Sequence, residues 1–227
     1  MVNDGIVLDI KKPVSRDRAK LQEIRDTRRA KTTVARLHHH ALRTNKMEET
    51  RHFYEDILEM PMVTAFKEMI DPTRGLPTPY LHCFFEMKDG SCLAFFEFAN
   101  NARGEAPKTP QDAFDHHVAV SVPDFRDIDR FMKKLEGEGY PIAGIDHGFC
   151  YSVYVRDPNG MLIELVTDPE NEIEINEEYA RVAHEELERW NRGDYSANNE
   201  ERNSGVYPLP TSSFDDLMKV LPDDRPQ

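Results

Sequence analysis

Thiols and long apolar runs are scarce in this chain. Only three of its 227 residues are cysteines, and Cys83, Cys92 and Cys150 lie far apart. No CxxC or other thiolate ligand pattern occurs, so reduced thiols in a cytoplasmic protein are expected. No apolar run reaches membrane length, and the first residues lack the basic-then-apolar pattern of a secretion signal. The expectation is a cytoplasmic protein with no membrane partner. Cations are outnumbered as well: 29 Lys and Arg stand against 42 Asp and Glu, for a formal net charge of −13. That balance argues against a nucleic-acid partner and suits solubility, or the capture of a cationic ligand. Apolar residues make up 39 % of the chain, enough for a core.

What is present concentrates in three segments. They are Arg36-Leu37-His38-His39-His40-Ala41-Leu42, Asp115-His116-His117-Val118-Ala119-Val120, and Asp157-Pro158-Asn159-Gly160-Met161-Leu162-Ile163-Glu164. The first two share the pattern His-His-x-Ala and read as one motif written twice. Two neutral imidazoles and a carboxylate suit a divalent metal with open coordination positions.

The surrounding pattern is duplicated too. Residues 1–34 form a charged arm, helical from about Ser15 to Ala30, with Leu21 and Ile24 as its packing residues. Residues 36–100 read strand, helix, strand, strand, strand. Asn45 and Glu48 suggest a capping box for the helix, Met62–Phe66 a strand, and Tyr80–Glu86 with Ser91–Phe98 a hairpin. A polar linker follows. Residues 114–168 repeat the order: a strand from His117, a helix opened by Pro123 and Asp124, a short strand near Tyr140–Ala143, and a hairpin around Asp157-Pro158-Asn159-Gly160. The two units make one domain over 35–168. Residues 169–227 hold a helix from Asn176 to about Arg192, with Leu187 and Trp190 on its packing side, and a polar tail. In that tail Phe214, Leu217, Met218 and Leu221 suggest a short amphipathic helix.

His39 and His117 occupy matching places, each two residues before an alanine on the same strand face. Strand alternation sends His38, His40 and His116 to the other side. Glu164 stands in an otherwise apolar strand, where a buried, unpaired carboxylate is costly. It needs a cation. Glu97, embedded in Ala94-Phe95-Phe96-Glu97-Phe98, poses a similar problem. Yet Glu97 is seven residues past Gly90 and Glu164 four past Gly160, so a bulge is needed to bring them into register. A salt-bridged or edge-exposed carboxylate is the alternative.

These segments resemble the vicinal oxygen chelate superfamily, which includes glyoxalases, bleomycin-resistance proteins, epimerases, fosfomycin-resistance enzymes and extradiol dioxygenases. The similarity covers about residues 36–168. It implies an α+β fold in which two βαβββ modules form an incompletely closed, eight-stranded mixed β-barrel, here with extra N- and C-terminal helices. It carries metal-ligand roles to His39, His117 and Glu164. In glyoxalase-like and epimerase-like members a fourth ligand comes from the last strand of the first module, which is Glu97 here. In extradiol dioxygenases that position is not a ligand, leaving a two-His-one-carboxylate site for Fe(II).

The expected reaction is therefore metal-assisted, with Fe(II) favoured and Mn, Ni, Zn or Co as alternatives. The leading expectation is an extradiol-type dioxygenase on a small catecholic or vicinally oxygenated compound. Where such enzymes carry an acid–base histidine, this chain has Ser91 and Cys92. His82 and His147 are the substitutes, and Tyr54, Tyr151 and Tyr154 are hydroxyl candidates. The runner-up is a glyoxalase-like lyase, isomerase or epimerase that would use Glu97. The third reading is a bleomycin-resistance-like sequestering protein, which the retained His39, His117 and Glu164 speak against. A small-molecule substrate and a homodimer are the expected partners.

Overall fold

The computed structural model describes residues 17–109, 112–199 and Leu217. A helix, α1 (Arg18–Arg29), precedes the first module. That module runs β1 (His39–Arg43), α2 (Met47–Arg51), β2 (Met62–Asp71), β3 (Leu76–Glu86) and β4 (Cys92–Phe98). The second runs β5 (Val118–Ser121), α3 (Phe125–Gly137), β6 (Ile142–Asp146), β7 (Tyr151–Arg156) and β8 (Leu162–Thr167), and α4 (Glu172–Asn191) follows. Each module makes its own four-stranded sheet, ordered β1-β4-β3-β2 and β5-β8-β7-β6. In both, the first strand pairs parallel with the last, and the other pairs are antiparallel. This is the paired βαβββ architecture, α+β in class, with the sheets not joined into a closed barrel.

The register makes the duplication quantitative. Ala41 pairs with Ala94 in the first sheet, and Ala119 pairs with Glu164 in the second. His39 and His117 each precede their alanine by two and share its face. The residue equivalent to Glu164 is thus Ala94, not Glu97.

Helices and sheets meet in one core. Phe53, Tyr54 and Ile57 from the first module join Ile128, Phe131 and Leu135 from α3, together with Phe85, Phe95, Val153 and Ile163. Burying each large side chain contributes about 1.5–3 kcal/mol. Residues His52–Ile57 continue α2 as a π-helical stretch, in which Leu58 N donates to Phe53 O at 3.0 Å. The wider turn places Phe53 and Tyr54 side by side against the core. Tyr54 Oη donates to Asp157 Oδ2 of the β7–β8 turn at 2.9 Å, tying the modules together. Lys134 of α3 adds a second tie, its Nζ donating to the carbonyls of Asp56 and Ile57 where the preceding helical turns end.

Several boundaries differ from the sequence expectation. β2 extends to Asp71 because most of its residues are exposed on both faces, so Lys67 and Glu68 interrupt no buried side. Asn45 does not cap α2. Its Oδ1 accepts from Ala106 N in the returning linker, while Glu97 Oε1 accepts from Met47 N at 3.1 Å. The short strand of the second module lies later, at Ile142–Asp146, and α4 starts earlier, at Glu172. Asp124 does cap α3, its Oδ1 accepting from Arg126 N and Asp127 N. Leu187 and Trp190 are exposed rather than packed, at 58 % and 61 %.

The arm attaches through charge rather than through Leu21 and Ile24. Arg25 is buried and donates to both Glu172 and Glu177, and Arg28 donates to Glu177 as well. The Arg28 and Arg25 guanidinium groups hold the Glu177 carboxyl down at about 2 despite its burial. Of the C-terminal helix expected around Phe214, Met218 and Leu221, only Leu217 is among the described residues.

Candidate metal and acid–base site

The second sheet gathers one continuous polar group on a single face. His117 precedes β5, Glu164 sits on β8, and Tyr154 lies opposite Glu164 on β7. His117 Nδ1 lies 2.7 Å from Ala113 O. A carbonyl only accepts, so Nδ1 donates and Nε2 is left to face Glu164 Oε2, 3.1 Å away. A lone pair and a carboxylate oxygen at that distance call for a proton or a cation. The backbone carbonyl behind the ring is the support that orients a metal-binding imidazole. Tyr154 Oη donates to the other carboxylate oxygen, Glu164 Oε1, at 2.9 Å. His147 Nε2 is 3.1 Å from Tyr154 Oη, and the loop carrying it is pinned by His147 N donating to Cys150 O. Burial, then the Glu164 charge, pushes the Tyr154 hydroxyl well above its ordinary range, so Tyr154 stays a proton donor.

The first sheet presents a different surface at the same places. His39 shares its face with His82 and Phe84, with ring centroids at 6.3 and 5.4 Å. His82 stacks on Phe96 at 3.6 Å, and Phe66 and Tyr80 extend the wall. Burial, aided by the neighbouring His39, pushes the His82 imidazole down toward its neutral form. His39 Nδ1 lies 2.8 Å from His38 Nδ1. Glu97 is on the opposite face of β4, and its carboxylate is engaged by Met47 N. His40 and His116, sent to the far side by strand alternation, meet each other with ring centroids at 5.6 Å.

His117, Glu164, Tyr154 and His147 are thus brought together, and His39 and His82 form a second group. Among the described residues, no cluster of three or more His, Cys, Asp or Glu side chains is close enough to hold a metal. His117 with Glu164 fits two positions of a divalent ion, by donor type and by the anchored ring. His39 occupies the matching place on the other sheet. The remaining hydroxyl candidates are structural: Tyr54 is fully buried on Asp157, and Tyr151 is fully buried against Phe125. Cys150 lies near Glu164, but burial pushes its thiol up to about 11, so it is no nucleophile.

Sequence reasoning missed the aromatic wall. Its signal was alternation, since Tyr80, His82 and Phe84 share one face of β3. It also missed Asn199, which carries no motif and reaches the His147 loop only through tertiary contact, whereas Leu217, read as part of an amphipathic tail helix, packs on the second sheet.

The chain is similar to several known proteins. A family model described as Glyoxalase/Bleomycin resistance protein/Dioxygenase superfamily matches residues 36–165. Biphenyl-2,3-diol 1,2-dioxygenase 3 of Rhodococcus globerulus is 26 % identical over 138 residues, or 60 % of this chain and 65 % of that protein. The chain therefore spans just under two thirds of that relative's length. A lactoylglutathione lyase structure from Agrobacterium tumefaciens is 21 % identical with a TM-score of 0.42, over 60 % of this chain and 96 % of that one. A variant of the fosfomycin resistance protein FosX from Listeria monocytogenes, solved with Mn(II) and a dihydroxypropylphosphonic acid, is 18 % identical with a TM-score of 0.44, over 59 % and 92 %. With more than half of its length matched by the family model, the chain belongs to the Glyoxalase/Bleomycin resistance protein/Dioxygenase superfamily.

Proposed function

We propose that this protein is a metal-dependent dioxygenase of the extradiol type, acting on a small aromatic compound with two neighbouring hydroxyls. The observation that carries the proposal is the chain of contacts from His147 through Tyr154 to Glu164 and His117. It sets an acid–base pair directly beside two metal-type donors. A divalent ion there, Fe(II) in this proposal, supplies charge stabilisation at the two substrate oxygens and the redox chemistry of O2. His117 and Glu164, with His39, would hold it. Tyr154 Oη, which donates to Glu164 before substrate binds, would turn its one proton to a substrate hydroxyl oxygen, and His147 would supply or take up a proton at Tyr154 Oη. His82 and Phe84 face the aromatic ring.

The glyoxalase-like alternative is disfavoured by Glu97. It needs a fourth carboxylate ligand at the Ala94 position, and Glu97 is turned to Met47 instead.

The proposal assigns His39 to a site shared with a second copy of the chain. Supporting it, the edge strand β2 exposes Val63, Phe66, Met69 and Ile70, an apolar edge that isolated proteins normally protect. The test is metal analysis of protein purified without added metal, combined with O2 uptake on a panel of catechols. Iron with oxygen consumption and a ring-cleaved product is expected. Nickel or zinc, with hemithioacetal isomerisation and no oxygen uptake, would overturn the reading.

A further inference from the structure

The sheet face that carries Glu164 and Tyr154 is not bounded by the duplicated modules alone. Leu217 is 1 % exposed and packs in a cluster with Ala143, Tyr154 and Leu162, flanked by Ala113 and Ile145. Ala143 pairs with Tyr154, and Leu162 lies two residues before Glu164 on β8. Leu217 therefore shares one buried cluster with Tyr154, on the face that carries Glu164. A second contact reaches the loop that carries His147. Asn199 Nδ2 donates to His147 O at 3.0 Å, and Tyr179 Oη of α4 donates to Asn199 Oδ1 at 3.4 Å. The Tyr179 ring also meets Phe149, whose ring packs on His147. Tyr179, Asn199 and Leu217 all lie beyond residue 165, where the family match ends.

We infer that Tyr179, Asn199 and Leu217 build one wall of the site. Asn199, braced by Tyr179, is a positioning residue for the His147 loop, and Leu217 is a specificity-determining residue. A hydroxyl is held at a fixed point by its partners, but an aliphatic side chain in the same cluster sets how much room lies beside it. Three hydrogen bonds or ring contacts on one short loop fix the imidazole that must reach Tyr154 Oη. The wall favours compact catechols and disfavours those with a bulky substituent on the side of Tyr154. This inference rests on the proposed dioxygenase reading for its substrate and on the contacts alone for its geometry.

The test uses the full-length, iron-loaded protein with catechol and 4-tert-butylcatechol. In Leu217→Ala the ratio of kcat/KM for the bulky to the small compound should rise about tenfold, with iron content unchanged, and Leu217→Met should stay near the wild-type ratio. In Asn199→Ala kcat should fall while iron content holds. Hydrogen exchange without substrate gives a reading independent of chemistry. Asn199→Ala should speed exchange in the loop around His147 about tenfold, and Leu217→Ala should do so in the edge strand β6, with the first sheet unaffected. An unchanged preference ratio in an active enzyme overturns the specificity role. Unchanged exchange in both variants overturns the wall. If the wild-type protein consumes no oxygen on any catechol, the function fails while exchange still decides the geometry.

Discussion

Mixing two inactive chains tests the shared site most sharply. His39→Ala removes the imidazole of the first sheet, and Glu164→Ala removes the carboxylate of the second. Each variant alone should lose at least about 100-fold in metal affinity or turnover, since even a residue behind a ligand costs 10–100-fold. If His39 of one copy joins His117 and Glu164 of the other, a hybrid dimer holds one doubly broken site and one intact site. Random exchange makes about half of the dimers hybrid, so the mixture should regain about a quarter of the wild-type activity and of its bound iron. Iron content is read by elemental analysis, turnover by oxygen uptake, and exchange by mass spectrometry of differently tagged chains. A site built within one protomer gives hybrids with two singly broken sites. A fully exchanged mixture that stays at background would refute the shared arrangement.

Further predictions follow from individual contacts. Tyr154→Phe removes the hydroxyl between His147 and Glu164, so kcat should drop about 10²- to 10⁴-fold with iron content retained; an unchanged kcat would remove Tyr154 from the mechanism. Glu97→Gln should leave iron content intact and cost about 1 kcal/mol through weaker capping of α2, measured by urea denaturation, whereas loss of iron would revive the four-ligand reading. The α1–α4 clamp should fail in acid. The folded Glu177 carboxyl, at about 2, lies below its ordinary 4.5. Its stabilisation is therefore complete above the ordinary value and is lost as pH falls from there through the folded value. Glu177→Gln should be about 1–3 kcal/mol less stable at neutral pH. The Tm gap between variant and wild type should close in that acid window, and a gap independent of pH would contradict the assignment.

How far the sequence carried depended on what each signal encodes. Apolar periodicity and turn residues report local structure, so the duplicated strand–helix–strand order was legible, as was the Asp124 cap. Alternation sent His40 and His116 away from His39 and His117, and there they meet each other, but it did not separate His38, whose Nδ1 lies 2.8 Å from His39 Nδ1. Counting from Gly90 and Gly160 already showed Glu97 three residues out of step, and the parallel pairing of β1 with β4 explains why no bulge corrects it. What the sequence could not show was partnership. Glu97 reads as a stranded carboxylate until the end of α2 is folded against it. Leu21 and Ile24 look like the packing side of α1, yet Arg25 is the buried residue because Glu172 and Glu177 wait on a helix some 150 positions away. The reach of Asn199 to His147 is equally invisible to periodicity.

The two modules have diverged in a way that bears on chemistry. At equivalent register one sheet carries Glu164 and the other Ala94. Beside Glu164 stand Tyr154 and His147, all within hydrogen-bonding reach of one another in sequence along the sheet. Around Ala94 the neighbours on the same face are His39, Phe84, Phe96 and the stacked His82. In the proposed shared site, a second carboxylate on that face would add negative charge beside Glu164 and fill a coordination position that Ala94 leaves open. In the proposed reaction one half would serve charge and proton transfer, and the other contact with a planar ring. An enzyme that only needed to stabilise an enediolate would have little use for such asymmetry. One that must admit O2 and an aromatic diol to the same ion requires both the missing ligand and the aromatic wall, which is why Ala94 matters as much to the proposed reaction as Glu164.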